Sequence, residues 1–335
     1  MKKKKFPLLV IISVFSFFSC KHEDKPTPTP STTTDIYIAG NKNYSSGNPI
    51  PVYWKNGEAH NLSLGSYSSG IAKSISVSGN DVYVCGSVTE GIYKAAAYWK
   101  NDTLHTLTDE VHDAIATGIT VENNDVYILG QEYNASTIRV PKYWKNGLET
   151  VLTNGTNDAL GEKMIVKNGE VYIAGYEYVG TTMIPKYWKN GVGIELPSVD
   201  SKTRASALTF VGNDLYIAGS NFQNGDMGVI YWKNGNLQVL SQGLSYVHVN
   251  SVAVSGNDVY IGYTDELQAG KYWKNNTLIP LMDGSSVASL TDLYSYESDI
   301  YMLGNVGENT ILWKNNSKIA TDTNASFEDI QIVQH

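Results

Sequence analysis

All seven tryptophans of the chain stand at one position of a short motif that reads YWKNG in its most regular copies. Successive copies lie 45, 45, 44, 44, 41 and 40 residues apart. A repeat of this length is typical of a solenoid, a propeller or a linear array of small units. The tryptophans are Trp54, Trp99, Trp144, Trp188, Trp232, Trp273 and Trp313.

Each repeat contains a second motif, which reads DVYIAG with small changes and begins at Asp35, Asp81, Asp125, Glu170, Asp214, Asp258 and Asp299. A third segment, such as AKSISVSGN, precedes this motif, and a fourth, such as TLHTLT, follows YWKNG. All four segments have the length and the β-branched or aromatic composition of strands, and no long stretch shows the period of a helix. We name them strands a, b, c and d.

The turns between strands c and d carry Asn-Gly, Asn-Asp or Asn-Asn pairs. Asn-Gly strongly favours a two-residue β-hairpin, because both residues tolerate positive φ. Each repeat is therefore expected to be a four-stranded antiparallel meander. Seven such units predict an all-β fold, a seven-bladed β-propeller.

The two ends of the repeat region predict how the ring closes. The first repeat begins at strand b, with Asp35, and has no strand a before it. The last segment, Ala325–His335, has the pattern of strand a and no strand b after it. We therefore expect residues 35–335 to form one propeller, in which the C-terminal strand supplies the inner strand of the first blade.

The blades of a propeller pack face to face, which gives the repeated aromatic residues a structural explanation. We expect each strand c tryptophan to fill the wedge between two blades, with the strand b tyrosines in a matching role. Cys85 stands where other repeats have small or aliphatic residues, which predicts a buried thiol. The YWKNG and DVYIAG pattern resembles the HAF-type repeats of extracellular bacterial proteins, which implies a fold and a compartment but no catalytic residue.

The N-terminal segment has the features of a secretory signal. Lys2–Lys5 precede the apolar run Phe6–Phe18, which as a helix rises roughly 20 Å and is too short to cross a bilayer. The small residue before Cys20 resembles the lipobox of bacterial lipoproteins, which implies a signal peptide over 1–19, a lipid on Cys20 and an anchor in the outer membrane. An ordinary secretory signal is the alternative. Residues 20–34, rich in proline and threonine, are expected to form an extended tether.

The charge of the mature chain argues against two classes of partner. Removal of Lys2–Lys5 leaves 21 basic and 33 acidic side chains, a formal charge of 21 − 33 = −12. Nucleic acids and anionic membrane surfaces attract basic proteins, so neither is expected to bind. Cys85 is the only cysteine after Cys20, which predicts no disulfide within the propeller. We expect a monomer without a cofactor.

Antiparallel strands divide the connections between two faces. The short, repetitive a–b and c–d turns lie on one face, which we call the plain face, and the longer b–c and d–a loops lie on the other, the variable face. Variable loops on a rigid scaffold commonly carry binding sites. The tether enters at the plain face, so we expect the variable face to point away from the membrane. Its candidate ligand-binding aromatic residues are Tyr44, Tyr93, Tyr133, Tyr178 and Phe222.

The first residues of each strand a are predicted to line the mouth of the central channel on the variable face. The charged residues at this level are Lys73, Glu162, Lys163, Arg204, His248, Asp292, Glu328 and Asp329. Arg204 and His248 are further ligand-binding candidates. The neighbouring carboxylates Asp292, Glu328 and Asp329 either bind a cation or form an acid/base pair, or they belong to a solvated rim that Lys73 and Lys163 neutralise. The histidines are unevenly spread and predict no metal site.

The chain has none of the local motifs of common hydrolases, nucleotide-binding proteins or metalloproteases. The main hypothesis is therefore a non-catalytic binding module for a glycan or a protein. The alternative is a glycan-active hydrolase or lyase that uses the carboxylates of the channel mouth.

Overall fold

The computed structural model describes residues 34–42, 48–265, 270–275, 277–281, 289–306, 309–323 and 325–334. The predicted signal peptide, Cys20 and almost all of the tether lie outside these residues, as does Tyr44. The part of the chain that is described contains no helix with the length and apolarity that crossing a membrane requires.

The described residues form 28 strands. In chain order the strands are β1 (Thr34–Lys42), β2 (Ile50–Lys55), β3 (Glu58–Asn61), β4 (Ser69–Ser78), β5 (Asp81–Thr89), β6 (Lys94–Lys100), β7 (Thr103–Thr106), β8 (Ala114–Glu122), β9 (Asp125–Tyr133), β10 (Arg139–Lys145), β11 (Leu148–Val151), β12 (Ala159–Lys167), β13 (Glu170–Val179), β14 (Thr182–Lys189), β15 (Val192–Glu195), β16 (Arg204–Val211), β17 (Asp214–Gln223), β18 (Asp226–Lys233), β19 (Asn236–Val239), β20 (Val247–Ser255), β21 (Asp258–Asp265), β22 (Gly270–Lys274), β23 (Thr277–Pro280), β24 (Ser289–Tyr296), β25 (Asp299–Val306), β26 (Asn309–Lys314), β27 (Ser317–Thr323) and β28 (Ala325–Gln334).

These strands form seven antiparallel sheets of four strands each, which confirms the predicted propeller. Blade 1 has the order β28-β1-β2-β3, and blades 2 to 7 follow as β4 to β7, β8 to β11, β12 to β15, β16 to β19, β20 to β23 and β24 to β27. Each inner strand packs against the inner strands of both neighbouring blades, from β28 through β4 and around to β24. The predicted closure is also confirmed, because β28 pairs with β1 and places Ile330 opposite Ile38.

The strand c tryptophans lie between blades. Six of the seven are at most 2% exposed, and Trp273 is half-buried. The indole N–H of Trp99 donates to the carbonyl of Ser63 at 2.6 Å, and that of Trp188 donates to Leu152 at 3.0 Å. Both acceptors belong to the preceding blade, so the ring nitrogen joins two blades while the ring fills the apolar space between them.

The plain face carries a closely similar polar network in every blade. In blade 2, Asn101 donates to Asp81 at 2.6 Å and accepts from the N–H of Val82 at 2.9 Å, and Lys100 lies over the ring of Tyr83. The lysine of YWKNG also pairs with the acidic residue that begins strand b in all seven blades: Lys55–Asp35, Lys100–Asp81, Lys145–Asp125, Lys189–Glu170, Lys233–Asp214, Lys274–Asp258 and Lys314–Asp299. The two motifs are therefore two halves of one hydrogen-bonded unit.

The c–d turns have the backbone that the Asn-Gly pairs predict. Asn56 and Gly57 have φ angles of 51° and 85°, both in the left-handed region that a two-residue hairpin turn of this kind requires. Each turn places its asparagine beside the start of strand b, where the side chain completes the plain-face network.

Candidate binding site at the channel mouth

Every inner strand carries a β-bulge at the same position, near its end on the variable face. A bulge adds one residue that has no partner on the neighbouring strand and turns the local backbone. The seven bulge residues are Lys73, Thr117, Glu162, Ser206, Asn250, Thr291 and Glu328.

The bulge also explains the final glycine of the DVYIAG motif. Gly86 of strand b lies opposite the bulge of blade 2, where a Cβ atom would overlap the carbonyl oxygen of Ile71. Five further blades have glycine at the equivalent position, each against the corresponding carbonyl: Gly40, Gly130, Gly175, Gly219 and Gly304. Blade 6 has Tyr263 there instead.

All seven bulge residues line one cavity at the channel mouth, with a volume of about 270 Å³. A second cavity of about 320 Å³ lies along the channel, lined by the residues that follow the bulges on the inner strands. The bulge therefore converts a repeated backbone feature into a ring of seven side chains of five different types. Only charged residues at this level were selected from the sequence. Four of the bulge residues were therefore not anticipated: Thr117, Ser206, Asn250 and Thr291.

A lysine from one side of the ring reaches two carboxylates on the other side. The ammonium of Lys163 in blade 4 lies 3.7 Å from Asp292 in blade 7 and 3.5 Å from Asp329 in blade 1. Asp329 also accepts hydrogen bonds from the Ser74 hydroxyl at 2.5 Å and from the N–H of Ile75 at 3.0 Å. The cluster links four blades across the channel.

The surroundings shift the pKa values of the two carboxyl groups in opposite directions. Burial raises the pKa of Asp292 to about 7, and the neighbouring Asp329 adds to this effect while Lys163 opposes it. Burial acts in the same direction on Asp329, but Lys163 and the hydrogen bonds from Asp292, Ser74 and Ile75 outweigh it and lower the pKa of Asp329. Asp292 therefore holds a proton more readily than Asp329, and a pair with this asymmetry is suited to general acid/base chemistry.

Three carboxylates of the mouth, Asp292, Glu328 and Asp329, are paired with lysines. Lys73 lies 3.0 Å from Glu328, which joins the bulges of blades 2 and 1, and Lys163 serves Asp292 and Asp329. No group of three or more histidine, cysteine, aspartate or glutamate side chains within the described residues is suited to a metal ion. One expectation is wrong: the rim at this point is not solvated, because Asp292 and Asp329 are only 4% and 9% exposed.

Glu162 differs from the other carboxylates of the mouth. It forms no hydrogen bond or ion pair with any described residue, and burial raises its pKa although Arg204 and Arg139 oppose the shift. It lies close enough to Tyr176 to contribute, after burial, to a pKa of about 12 for that phenol. The carboxyl of Glu162 is thus a hydrogen-bond acceptor whose capacity the protein leaves unused.

Arg204 in blade 5 lies near Glu162 in blade 4, and His248 in blade 6 lines the same cavity. The Arg204 guanidinium donates to the Ser220 hydroxyl and to the carbonyl of Val247, both at 2.9 Å. His248 lines the mouth cavity and lies 2.8 Å from the side-chain oxygen of Asn250. One side of the ring is open, but burial of the remainder lowers the pKa of His248; the hydrogen bond with Asn250 opposes this effect and Arg204 adds to it, so the neutral imidazole is favoured.

The loop aromatic residues are less exposed than the sequence suggested. Of the four within the described residues, only Tyr93 is exposed, at 44%, and Tyr133 is half-buried. Tyr178 packs edge-to-face on Tyr176 with ring centroids 5.7 Å apart, and Phe222 lies beneath the ammonium of Lys202 at 4.8 Å. Three of these candidate residues are partly covered because β9, β13 and β17 extend further than their motifs and hold Tyr133, Tyr178 and Phe222 within the strands.

Comparison with known proteins supports the propeller fold and does not identify a family or an activity. Neither a protein-family model nor a curated protein sequence matches the chain. Among solved structures, it is similar to a puromycin-hydrolysing peptidase of Mycobacterium tuberculosis, with a TM-score of 0.58 and 9% identity over 87% of this chain and 51% of that one. It is also similar to hydrazine synthase of Kuenenia stuttgartiensis, with a TM-score of 0.51 and 8% identity over 90% and 47%. The chain thus spans about half the length of these structures.

Proposed function

We propose that this chain is a lipid-anchored, non-catalytic binding protein of the bacterial envelope, and that it holds a glycan on its variable face. The observation that carries the proposal is the ring of bulges. The same backbone feature occurs in all seven blades, but the side chains that it presents to the mouth cavity differ around the ring. A ligand on that axis meets an asymmetric set of groups on a rigid support, which is a common arrangement for recognition.

The chemistry of the cavity favours a polar ligand of small cross-section. Its lining combines hydroxyl groups, an amide, a neutral imidazole and a carboxylate that has no partner among the described residues: Thr117, Ser206, Thr291, Asn250, His248 and Glu162. A volume of about 270 Å³ is close to the lower end of small-molecule sites, roughly 300 Å³, and accommodates one saccharide unit. A protein ligand, the other class expected from the sequence, has more surface on the loops around the mouth than within it.

The internal ion pairs support binding rather than turnover. Lys163 and Lys73 already neutralise three of the carboxylates, and two of these carboxylates are almost completely buried. Such a cluster holds blades together across the channel, and a reacting group would have to displace Lys163 in order to reach it. The net charge of the chain gives no support for nucleic acid as a ligand.

Anchoring at the membrane has its own test. If Cys20 carries lipid, the variant Cys20→Ser should leave the membrane fraction, and wild-type protein should remain there in high salt. Retention of the variant with membranes in high salt would contradict the anchor.

The binding function is tested with the mature chain carrying Cys20→Ser on a glycan array. Once a glycan is found, Tyr93→Ala and Tyr178→Ala on the variable face are compared with Asn80→Ala and Asn213→Ala on the plain face. Truncation of a true anchor costs about 2 kcal/mol or more, roughly thirtyfold in affinity. Loss of binding in the plain-face variants alone would refute the proposed face, and a protein captured from the envelope in place of any glycan would refute the ligand class.

One observation favours a second candidate, a glycan-active hydrolase or lyase. Asp292, with a pKa raised to about 7 by burial, lies beside the ionised Asp329. Glycosidic bond cleavage uses a carboxylic acid and a carboxylate that stand about 5 Å or more apart. Asp292 and Asp329 share a hydrogen bond, so a substrate would have to part them. An enzyme should lose turnover of the bound glycan in Asp292→Asn and Asp329→Asn while binding persists, and a binding protein should show no turnover in any form.

A further inference from the structure

The charged groups that line the mouth cavity do not balance. The positive groups are Lys73 and Lys163, and the carboxyl groups are Glu162, Asp292, Glu328 and Asp329. With all carboxyl groups ionised the lining sums to 2 − 4 = −2, and the nearby Arg204 guanidinium, which acts on Glu162, reduces this excess to −1. A concave site with an excess of one sign of charge concentrates ligands of the opposite sign. The cavity therefore favours a cationic ligand and disfavours an anionic one.

Glu162 carries the negative charge that no lysine of the cavity neutralises. Lys73 is engaged with Glu328 and Lys163 with the two aspartates, so neither ammonium pairs with Glu162. The two nearby guanidinium groups are also engaged: Arg139 forms a two-bond pair with Asp158, and Arg204 donates to Ser220 and Val247. Arg204 and Arg139 act on Glu162 only through space and form no bond with it. A cation that binds the carboxylate directly therefore stabilises its charged form further against the effect of burial.

A second side chain without a hydrogen-bond partner among the described residues lines the same cavity as Glu162. Thr117 is the bulge residue of blade 3, the neighbour of blade 4, and it lines the same cavity. Its hydroxyl oxygen is buried and has no hydrogen-bond partner among the described residues. Adjacent blades thus present, at the same level of the channel, a carboxyl and a hydroxyl that the rest of the described protein leaves unused.

The cation that fits these groups is an ammonium rather than a metal ion. The described residues contain no group of three side chains suited to a metal. An ammonium offers three N–H donors and one positive charge, which suits a carboxylate and a hydroxyl acting as acceptors. The hydroxyl groups of Ser206 and Thr291 and the imidazole of His248 line the remainder of the cavity, where a ligand with several hydroxyl groups can bond with them. The Asn250 amide is already bonded to His248 and to the carbonyl of Leu290.

We propose that the mouth cavity binds an amino sugar with a free ammonium group, and that the ammonium lies on Glu162 with Thr117 as its second acceptor. The inference rests on the proposed binding function and specifies the class of saccharide. Acetylation of the amine removes the charge, so the site distinguishes a free amino sugar from its N-acetyl form.

The test measures the binding of D-glucosamine, N-acetyl-D-glucosamine and D-glucose to the mature chain, by isothermal titration calorimetry or by saturation-transfer NMR. We expect glucosamine to bind at least about tenfold more tightly than the other two sugars. Glu162→Gln, which keeps the shape of the side chain and removes the charge, should abolish this preference. Thr117→Val should weaken glucosamine binding several-fold, and Glu58→Gln, on the exposed outer strand of blade 1, is the matched control and should leave it unchanged.

Two results would overturn the inference: equal affinity for glucosamine and its N-acetyl form, or a preference for glucosamine that survives Glu162→Gln. If neutral glycans bind the variable face but the ammonium group contributes nothing, the inference fails and the proposed function stands. If no saccharide binds in the titrations or on the array, both fail.

Discussion

The plain face and the channel mouth lie at opposite ends of the same strands, and they use repetition in different ways. On the plain face the blades repeat nearly the same side chains in the same bonds, such as Asp81, Lys100 and Asn101 in blade 2, and blade 4 has Glu170 in place of the aspartate. At the mouth each blade repeats only the backbone, because the bulge position holds lysine, threonine, glutamate, serine or asparagine. A repeated side chain marks structure, whereas a repeated backbone with changing side chains marks a place where recognition can be built.

The two regions also differ in what their ion pairs contribute. The plain-face lysines and their acidic partners are largely exposed, and solvent screens such pairs. The more important bond there is the one from the backbone N–H of strand b to the turn asparagine, which holds the hairpin in register. At the mouth, Lys163 lies between two buried carboxylates, so its charge is needed to keep them in place.

The comparison requires a closed ring, and ending the chain at Asn324 breaks the ring. Phe327, Ile330 and Ile332 of β28 are buried, and full burial is worth about 1.5–3 kcal/mol for each side chain, roughly 5–9 kcal/mol together. Because whole domains are stable by about 5–15 kcal/mol, the shortened chain should be insoluble or melt far earlier. A chain ending at Val333, which retains the pairing of β28 with β1, is the control. Equal melting of the two chains would argue against closure.

Much of this architecture was predictable from the sequence because the repeats encode it directly. The period, the Asn-Gly turns and the unmatched ends predicted seven blades and the closing strand. The bulges were not predicted, since a bulge is a relation between two strands and the glycine that accommodates it, Gly86 in blade 2, has several other possible explanations. The partners of Lys163 were uncertain for a related reason: they are more than 120 residues away in the chain and meet it only across the channel.

Replacing a glycine opposite a bulge should destabilise the protein more than replacing a glycine in a plain-face turn. In Gly86→Ala the new methyl group overlaps the backbone of Ile71, which must move, and we expect a loss of about 3 kcal/mol. In Gly147→Ala, in a plain-face turn, nothing lies within 4 Å, and only the positive φ of 82° is unfavourable, at about 1 kcal/mol. Urea denaturation of both variants measures the difference. A larger loss for Gly147→Ala would mean that the bulge does not require glycine.

The same lysine substitution should have unequal effects on the two faces. Lys163→Met leaves Asp292 and Asp329 without a cation, and we expect a loss of about 2 kcal/mol, less than for a fully buried pair because the lysine is 38% exposed. Lys145→Met removes only a solvated partner of Asp125 and should leave the melting temperature nearly unchanged. Thermal melting at neutral pH tests both variants, and equal losses would contradict the structural role of the channel cluster.

Asp292 at the channel mouth and Asp125 on the plain face change the free energy of unfolding in opposite directions as the pH rises. The folded pKa of Asp292 is about 7, above about 3.9 in the unfolded chain, so this group lowers the free energy of unfolding as the pH rises from about 4 to 7. Asp292→Asn should therefore lose less stability than wild type between about pH 5 and pH 8. The pKa of Asp125 on the plain face is lowered by Lys145 and Asn146, so its stabilisation is lost only in acid. Asp125→Asn should thus follow wild type between these pH values, and a flatter curve for it than for Asp292→Asn would contradict the assignment.

The central claim, that recognition belongs to the variable face and structure to the plain face, is tested most directly by blocking each face in turn. Cys85 is completely buried, and burial raises the pKa of its thiol, so an added surface cysteine can be labelled selectively in the Cys20→Ser chain. A bulky polyethylene glycol is attached at Val179→Cys on the variable face or at Asn213→Cys on the plain face, both exposed positions, and glycan-array binding is measured. We predict that the group at 179 abolishes binding and the group at 213 leaves it intact. Binding that survives at 179 and disappears at 213 would contradict the account.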